Sequence, residues 1–153
     1  MTAILRLEPV IETLPLGFDV LRAEAFAEGY RFVERLATEW EAGTTRFARE
    51  GEALLCAHID GILAGIGGLT FDPVLSAAMR MRRFYVRPSF RNHGIGRKLV
   101  EVLLESPRRD GKVTVVNAAP GSSAFWEAVG FMPDPRAGHS HILCPPSATA
   151  QSA

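Results

Sequence analysis

The fold of this chain is decided by one stretch, residues 81–99: Met81-Arg82-Arg83-Phe84-Tyr85-Val86-Arg87-Pro88-Ser89-Phe90-Arg91-Asn92-His93-Gly94-Ile95-Gly96-Arg97-Lys98-Leu99. Its pattern is typical of a β-strand, a short basic loop with two glycines, and the first turns of an α-helix. Backbone N–H groups at a helix start have no partner within the helix, and the helix dipole favours negative charge there. Gly94 and Gly96 would let a phosphate approach the backbone closely. The stretch therefore predicts an anion-binding site.

The distribution of charge supports this prediction. Seventeen basic and seventeen acidic residues cancel, so net charge gives no support to a nucleic-acid partner. No carboxylate lies between Asp72 and Glu101, yet seven of the seventeen cations fall in that interval. These cations are Arg80, Arg82, Arg83, Arg87, Arg91, Arg97 and Lys98. A neutral protein that gathers its cations in this way is expected to bind a compact polyanion.

The length of the chain and its terminal segments limit the number of domains and the expected location. A chain of 153 residues suits one domain, which we place at residues 1–144. The segment 145–153 is rich in Pro, Ser and Ala, and we expect it to be frayed. No signal peptide or membrane-spanning run is recognisable, so we expect a cytoplasmic protein with no membrane partner. Cys56 and Cys144 have no metal-ligand spacing, which favours two free thiols and no metal site.

The first half of the chain predicts one strand, two helices and a hairpin. Residues 4–10 form a short apolar run typical of a strand, and residues 18–42 are rich in helix formers, with a split into two helices expected at Gly29. The Asp60-Gly61 pair between two apolar runs, 52–59 and 62–71, predicts a β-hairpin. The glycines of the second strand, at 65, 67 and 68, indicate a bulge or a close backbone approach.

The strand at residues 79–86 changes its phase part-way. Met79 and Met81 alternate with arginines, but the apolar phase restarts one residue late, at Phe84 and Val86. An inserted residue near Arg82-Arg83 would produce this shift, so we predict a β-bulge there. Bulges often lie beside ligand sites because they bend the strand and disrupt the ladder.

The second half of the chain continues the alternation of helix and strand. A helix follows Gly94, and we expect Ser106-Pro107 to end it. The β-branched run within residues 112–117 predicts a buried strand, and Ser122 is expected to cap a helix over residues 123–129. Residues 138–144 are the last predicted strand.

Two common phosphate-binding motifs do not fit the central loop. A Walker A loop needs Lys followed by Ser or Thr after its last glycine, where this chain has Arg97-Lys98. A dinucleotide fingerprint needs a third glycine where Leu99 stands and an acidic residue where Asn117 stands.

A third motif does fit. Residues 91–96, Arg-Asn-His-Gly-Ile-Gly, match the Arg/Gln-x-x-Gly-x-Gly/Ala loop of the GCN5-related N-acetyltransferase (GNAT) family. Residues 84–88 resemble that family's fourth strand and its exit, and residues 124–131 resemble its closing helix, which usually ends in Tyr-x-x-x-Gly-Phe. The chain is therefore similar to this family from residue 44 to residue 131 in order and spacing. The resemblance implies an α/β (α+β) fold of three layers, with a mixed central sheet of about six or seven strands and about four helices.

The resemblance also implies an activity, a cofactor and binding residues. It implies transfer of the acetyl group of acetyl-CoA to a primary amine, in a small molecule or a peptide, by direct attack. The family's fourth strand pairs with pantetheine, and its loop amides hold the pyrophosphate. Carried over to this chain, the expected CoA-binding residues are Phe84, Tyr85, Val86, Arg91, Asn92, His93, Gly94, Ile95, Gly96 and Arg97. The expected partners are acetyl-CoA and an amine acceptor, with no nucleic acid, in a monomer or homodimer.

The chain departs from the family pattern where catalytic groups are expected. Trp126 stands where a tyrosine often serves as general acid, and its indole cannot protonate a thiolate. The fourth strand has no carboxylate, so Asp72, at the end of the preceding strand, is the candidate base or amine anchor. The alternative for Asp72-Pro73 is a simple turn, which turn chemistry favours.

Two other functions remain open from the sequence. The substitution at Trp126 and the missing strand carboxylate would suit a non-catalytic CoA-binding module. A regulatory domain that binds no CoA is the other alternative, although it would have no need of Gly94 and Gly96. Glu24, Glu28 and Glu39, in the helical pair that forms the family's acceptor wall, could attract a cationic amine or could be a solvated helix face.

Overall fold

The structure is a computed structural model, and it describes residues 3–146. Its strands form one seven-stranded sheet in the order β1-β2-β3-β4-β5-β7-β6. The strands are β1 (Leu5–Pro9), β2 (Ala53–Ile59), β3 (Ile62–Phe71), β4 (Met79–Val86), β5 (Thr114–Val116), β6 (Met132–Arg136) and β7 (His139–Leu143). The helices are α1 (Phe18–Ala27), α2 (Phe32–Ala42), α3 (Ile95–Leu103), α4 (Glu105–Arg109) and α5 (Ser123–Ala128), with a 3₁₀ turn at Pro88–Phe90. Only β4 and β5 pair in parallel, so the sheet is mixed, as predicted.

The helices cover the two faces of the sheet and create two cores. On one face, α1 and α2 bury Leu21, Leu36 and Trp40 against β2, β3 and Tyr85 of β4. On the other face, α3 buries Leu99 in a cluster that includes Met79 and Met81 of β4 and residues from α5. Because β3 is covered on both faces, its residues from Leu63 to Thr70 are buried without alternation. The predicted three-layer arrangement is confirmed.

The predicted hairpin and helical pair are also confirmed. Asp60 and Gly61 both have positive φ, 48° and 82°, as a two-residue turn between twisted antiparallel strands requires. Gly29, with a φ of 89°, lies between α1 and α2. The left-handed conformation is inexpensive for glycine and ends a helix.

Two details differ from the sequence prediction. Ser106-Pro107 does not end the helical region, because α4 spans Glu105–Arg109 directly after α3. Pro107 lies in the first turn of α4, where a helix leaves its N–H groups unpaired and proline costs little. Ser122 does precede α5, but its hydroxyl donates to the carbonyl oxygen of Ala119 (2.7 Å) and does not cap the helix.

The strand β6 was missed because its sequence, Met-Pro-Asp-Pro-Arg, contains two prolines. Proline cannot donate to a strand ladder and argues against a strand in the middle of a sheet. In the structure β6 is the last strand of the sheet and pairs only with β7, so one side of it needs no partner.

Other features concern the ends of the chain and its thiols. The predicted frayed tail lies outside the described residues from position 147 onward. Cys56 is buried and Cys144 is exposed, and both are free thiols. Within residues 3–146, no helix is both long and apolar enough to cross a lipid bilayer.

Candidate active site

The site begins with a β-bulge in the middle of β4. Against β3, Arg82 lies opposite Gly68 and Tyr85 lies opposite Ile66, so two residues of β4, Arg83 and Phe84, face the single residue Gly67. Arg83 adopts the left-handed conformation, with a φ of 61°. This arrangement confirms the bulge that the phase shift predicted.

The glycines of β3 make room for this bulge and for a neighbouring loop. A Cβ at Gly67 would lie 2.6 Å from Cε2 of Phe84, and a Cβ at Gly68 would lie 2.5 Å from Cε1 of Phe47. Neither position has a positive φ, so the glycines are required by close approach of aromatic rings.

Beyond the bulge, β4 and β5 diverge and open a cleft. Their parallel pairing ends at Met81 and Val116, whereas β4 continues to Val86. In the described part of the chain, no strand pairs with residues 82–86 on the β5 side. This edge of β4 is therefore free to bond a ligand. The cleft has a volume of about 1230 Å³, above the usual range of roughly 300–1000 Å³ for small-molecule sites.

The loop after β4 ends at the start of α3 and lines the same cleft. Asn92 and Gly94 have positive φ, 66° and 78°, and turn the chain so that α3 begins at Ile95. The first backbone bond of this helix runs from Lys98 N–H to Gly94 O (3.0 Å), which leaves the preceding N–H groups for a ligand. A Cβ at Gly94 would meet no protein atom within 4 Å, so the space beside it is open. The loop, the helix start and the open space on which the anion-site prediction depends are thus present, and anion binding itself stays a prediction.

The second glycine of the loop has a different role. Gly96 has no positive φ, but a Cβ there would lie 3.1 Å from Cε1 of Phe125 and 3.7 Å from Cγ2 of Val86. Gly96 therefore lets α3 approach α5 closely.

Arg91 fixes the loop to α1 and to β4. Its Nε donates to the carbonyl oxygen of Val86 (2.9 Å), and its Nη1 and Nη2 donate to Glu28 at 2.9 and 2.6 Å. The hydroxyl of Tyr85 also donates to Glu28. The bonds from Arg91 and Tyr85 hold the pKa of Glu28 below its usual value, and burial together with Glu28 raises the pKa of Tyr85. Glu28 is thus an ionised structural group, and Tyr85 stays protonated.

Most of the predicted CoA-binding residues meet in this cleft. Its lining includes Phe84, Tyr85, Val86, Arg91, Asn92, Gly94, Ile95, Gly96 and Arg97. His93 is exposed and is not among the lining residues. The contacts of these ten residues with CoA stay a prediction.

Asp72 does not line the cleft, and its carboxylate is hydrogen-bonded to groups of its own turn and to Arg80. Its carboxylate accepts bonds from Val74 N–H (3.1 Å), Leu75 N–H (2.6 Å) and Arg80 Nη1 (3.1 Å). Burial opposes the ionisation of Asp72, but these donors outweigh it and lower the pKa of the carboxyl. The geometry supports the turn interpretation and gives no support to the predicted catalytic role.

Trp126 belongs to the aromatic core beneath the cleft. Its ring makes edge contacts with Phe84, Phe125 and Phe131, at centroid distances of 5.1, 5.0 and 5.3 Å. The side chain is buried and joins α5 to the bulge of β4. Packing accounts for its presence.

Several lining residues were not identified from the sequence. They include Arg31 just before α2, Arg35 in α2, and Asn117 and Ser122 after β5. Arg31 and Arg35 are four residues apart and therefore share one face of α2, which is a detectable signal. Which strand that face meets depends on tertiary packing, and the sequence does not show it.

Known proteins with a similar sequence pattern or fold show which family this chain belongs to. The family model described as an acetyltransferase (GNAT) domain matches residues 21–139, which is more than half of the chain. The chain belongs to the GNAT family. No curated protein sequence matches it, but many solved structures share its fold.

Three solved structures illustrate the shared fold of this GNAT protein. A provisionally assigned acetyltransferase from Exiguobacterium sp. 255-15 is 24% identical, with 97% of each chain covered and a TM-score of 0.84. The PaiA N-acetyltransferase from Thermoplasma acidophilum, solved in complex with coenzyme A, is 17% identical, with 91% of this chain and 96% of that chain covered and a TM-score of 0.66. Glucosamine-6-phosphate N-acetyltransferase from Arabidopsis thaliana is 16% identical, with 87% and 95% covered and a TM-score of 0.58. At these identities the likeness concerns the fold alone.

Proposed function

We propose that this GNAT protein is an N-acetyltransferase that uses acetyl-CoA as donor and a primary amine as acceptor. The observation that carries the proposal is the free edge of β4 after its bulge, which opens into the same cleft as the N-terminus of α3. A long donor with a polar amide chain and a diphosphate fits both halves of that cleft. The chain's membership of the GNAT family supports the same donor.

Each half of the cleft has its own role in this proposal. The unpaired backbone groups of residues 82–86 would bond the amides of pantetheine as an added strand would. The N–H groups of the loop and of the first turn of α3 would hold the pyrophosphate, with Arg97 nearby. Arg91 acts indirectly here, because its guanidinium is bound to Glu28 and Val86 and fixes the loop.

The reaction needs few groups from the protein. Acetyl-CoA supplies an acetyl thioester when bound. The amine nitrogen forms a bond to the carbonyl carbon, the C–S bond breaks, the amine loses a proton, and the thiolate gains one. The chain's part is to orient the amine and to donate a backbone N–H of β4 to the carbonyl oxygen.

The proton acceptor is water at the mouth of the cleft in this proposal. Glu39 is the single carboxylate among the described residues that line the cleft, and it is paired with Arg83 Nη2 at 2.8 Å. Tyr85 is held protonated by Glu28 and burial. The leaving thiol has an ordinary pKa of about 8.5, so its departure does not require a dedicated acid.

A non-catalytic CoA-binding module is the second candidate. The observation in its favour is Trp126, which packs among three phenylalanines at the position where many relatives are expected to have a tyrosine acid. Such a module would keep the cleft and the loop but release no thiol.

Two measurements distinguish these functions. Isothermal titration calorimetry with acetyl-CoA tests the cleft, and we expect saturable binding at one site per chain. A thiol-release assay over a panel of primary amines then tests the enzyme, and we expect release that depends on the amine. Binding without release from any amine would favour the non-catalytic module, and no binding would refute both candidates.

A further inference from the structure

The cleft has a second cationic region, at the end where β4 begins. Four arginines of the cleft lining lie there: Arg80, Arg82 and Arg83 from β4, and Arg35 of α2, which is one helical turn from the Glu39 that pairs with Arg83. We call these four residues the arginine cluster. The pyrophosphate loop at residues 91–97 follows the opposite end of β4, so the arginine cluster is a separate set of charges.

The bulge explains how three arginines of one strand reach the same face. Arg82 Nε donates to Thr70 Oγ1 (2.9 Å), and Thr70 lies opposite Arg80, so Arg80 and Arg82 share the face that α2 covers. The inserted residue in the bulge keeps Arg83 on that face too, where its Nη2 meets Glu39 of α2. Without the bulge, Arg83 would point to the opposite face of the sheet.

Arg83 is held in an unusual state. Its side chain is only 10% exposed, and its Nε is buried with no hydrogen-bond partner among the described residues. Its backbone φ of 61° is uncommon for a residue other than glycine and is strained. A buried guanidinium N–H without an acceptor is costly, so the protein holds Arg83 in this position at an energetic cost.

The charges of the cluster are incompletely balanced. Arg80 is paired with Asp72 at 3.1 Å and Arg83 with Glu39 at 2.8 Å, while Arg35 is exposed on α2. Burial lowers the pKa of Arg82, and the charges of Arg80 and Arg83 lower it further. An anion between these side chains would relieve this repulsion and strengthen each contact.

We propose that the arginine cluster binds an anionic group, a carboxylate or a phosphate, carried by the acceptor amine. The inference rests on the proposed acetyltransferase function and narrows its substrate to amino acids and amino phosphates. Arg82 and Arg83 directly precede Phe84, on the free edge that faces the donor. The amine and the anionic group of the acceptor are therefore separated by only a few bonds.

The carboxylates of the helical pair give a polycationic amine little to bind. Glu24 is paired with Arg87 at 2.7 Å, and Glu28 with Arg91 at 2.6 Å. The sequence-based alternative that these residues attract a cationic amine therefore gains no support.

The first test compares matched acceptors on the unaltered protein. Glycine and glycinamide form the carboxylate pair, and phosphoethanolamine and ethanolamine form the phosphate pair. We expect kcat/KM to be about 10- to 100-fold higher for the anionic member of at least one pair, as charged hydrogen bonds worth about 1.5–3 kcal/mol imply. The pair with the larger ratio identifies the anion. Equal values, or a preference for the neutral members of both pairs, would overturn the inference.

Binding of the same four compounds is measured by calorimetry on protein saturated with CoA, so that the result does not depend on turnover. Tighter binding of an anionic member supports the inference even if the protein releases no thiol. If acetyl-CoA and CoA do not bind, the proposed function fails, and the same titrations on the free protein then decide whether the arginine cluster binds the anion.

The second test uses Arg83→Gln and Arg35→Gln, with Arg109→Gln as a matched control. Arg109 lies outside the cleft lining, and its side chain is 72% exposed. We expect KM for the anionic acceptor to rise about tenfold in both cluster variants. Arg35 lies on α2 and not on the β4 edge proposed to bind the donor, so Arg35→Gln should also keep its affinity for acetyl-CoA and its kcat/KM for the neutral partner. Arg35 is exposed on α2, so its variant keeps the test valid if Arg83→Gln does not fold. Weaker acetyl-CoA binding in Arg35→Gln, or an unchanged KM in that variant, would contradict the assignment.

Discussion

The ring of Phe84 packs against Gly67, so closely that a Cβ at residue 67 would lie 2.6 Å from Phe84 Cε2. This contact is made at the bulge, where Phe84 and Arg83 face Gly67 together. The same ring makes an edge contact with Trp126. The bulge frees the edge of β4 and positions Arg83. It thus depends on Gly67 of β3, which has no side chain to collide with the ring.

Gly67→Ala is expected to destabilise the protein and to weaken acetyl-CoA binding. The added methyl group must displace the Phe84 ring or the backbone of the bulge, and overpacking of this kind costs about 1–3 kcal/mol. Thermal denaturation measures the stability and calorimetry measures the affinity.

The double variant Gly67→Ala/Phe84→Leu is the control for this contact. If the ring is the obstacle, removing it makes room for the methyl group, and the double variant loses less stability than the sum of the single variants. Strict additivity of the two losses would contradict the proposed steric conflict.

Gly94→Glu is expected to abolish acetyl-CoA binding. Residue 94 lies beside the first turn of α3, and the open space around it is where the pyrophosphate is proposed to bind. A glutamate there would fill this space and repel the phosphates. Its positive φ of 78° also adds strain of about 1 kcal/mol to any other side chain.

Gly111→Glu is the matched control, because Gly111 also has a positive φ (67°) and open surroundings but lies outside the cleft. It should lose similar stability and keep its affinity for acetyl-CoA. Unchanged affinity in Gly94→Glu would refute the placement of the pyrophosphate.

How far the sequence predicts this structure depends on how local each signal is. The strand, loop and helix of residues 81–99 follow from periodicity and glycine spacing, and even the bulge is visible as a shift of phase between Met81 and Phe84. These features are encoded by residues adjacent in the chain. The family resemblance rests on the same local patterns.

Features that depend on distant partners were missed. β6 is tolerated as a strand because its prolines lie at the end of the sheet, and this position is set by β7 and β5. Arg35 and Arg82 line one cleft only because α2 packs on β4, although they are 47 positions apart in sequence. Asp72 is a different case, because its donors at Leu75 and Arg80 are near in sequence and the turn alternative is already visible in Asp72-Pro73.

Asp72→Asn is expected to lower stability and to leave kcat unchanged. The carboxylate accepts three hydrogen bonds and is itself shielded from solvent, although its turn is exposed, and weakening such bonds costs about 1–3 kcal/mol. Chemical denaturation and steady-state kinetics measure the two effects separately. A fall in kcat with unchanged stability would instead support the catalytic role predicted from the sequence.

The pH dependence of stability gives a second readout for Asp72. Because folding lowers the pKa of this carboxyl from about 3.8, its ionised form contributes stability above that pH and loses it as pH falls through the folded pKa. The difference in unfolding free energy between the wild type and Asp72→Asn should therefore be largest above pH 4 and should shrink below it. A difference independent of pH from 7 to 2 would contradict the role of the ionised carboxylate.

Trp126→Tyr and Trp126→Phe test whether the reaction needs an acid at this position. Both variants keep an aromatic ring between Phe84 and Phe131, so both should lose some stability but less than the roughly 3–5 kcal/mol expected for truncation to alanine. They differ from each other only in the phenol hydroxyl. Because a thiolate with an ordinary pKa of about 8.5 can leave without a dedicated acid, we expect the two variants to have the same kcat in the thiol-release assay. A higher kcat for Trp126→Tyr alone would show that protonation of the thiolate limits turnover, and the unassisted departure proposed for this protein would then be wrong.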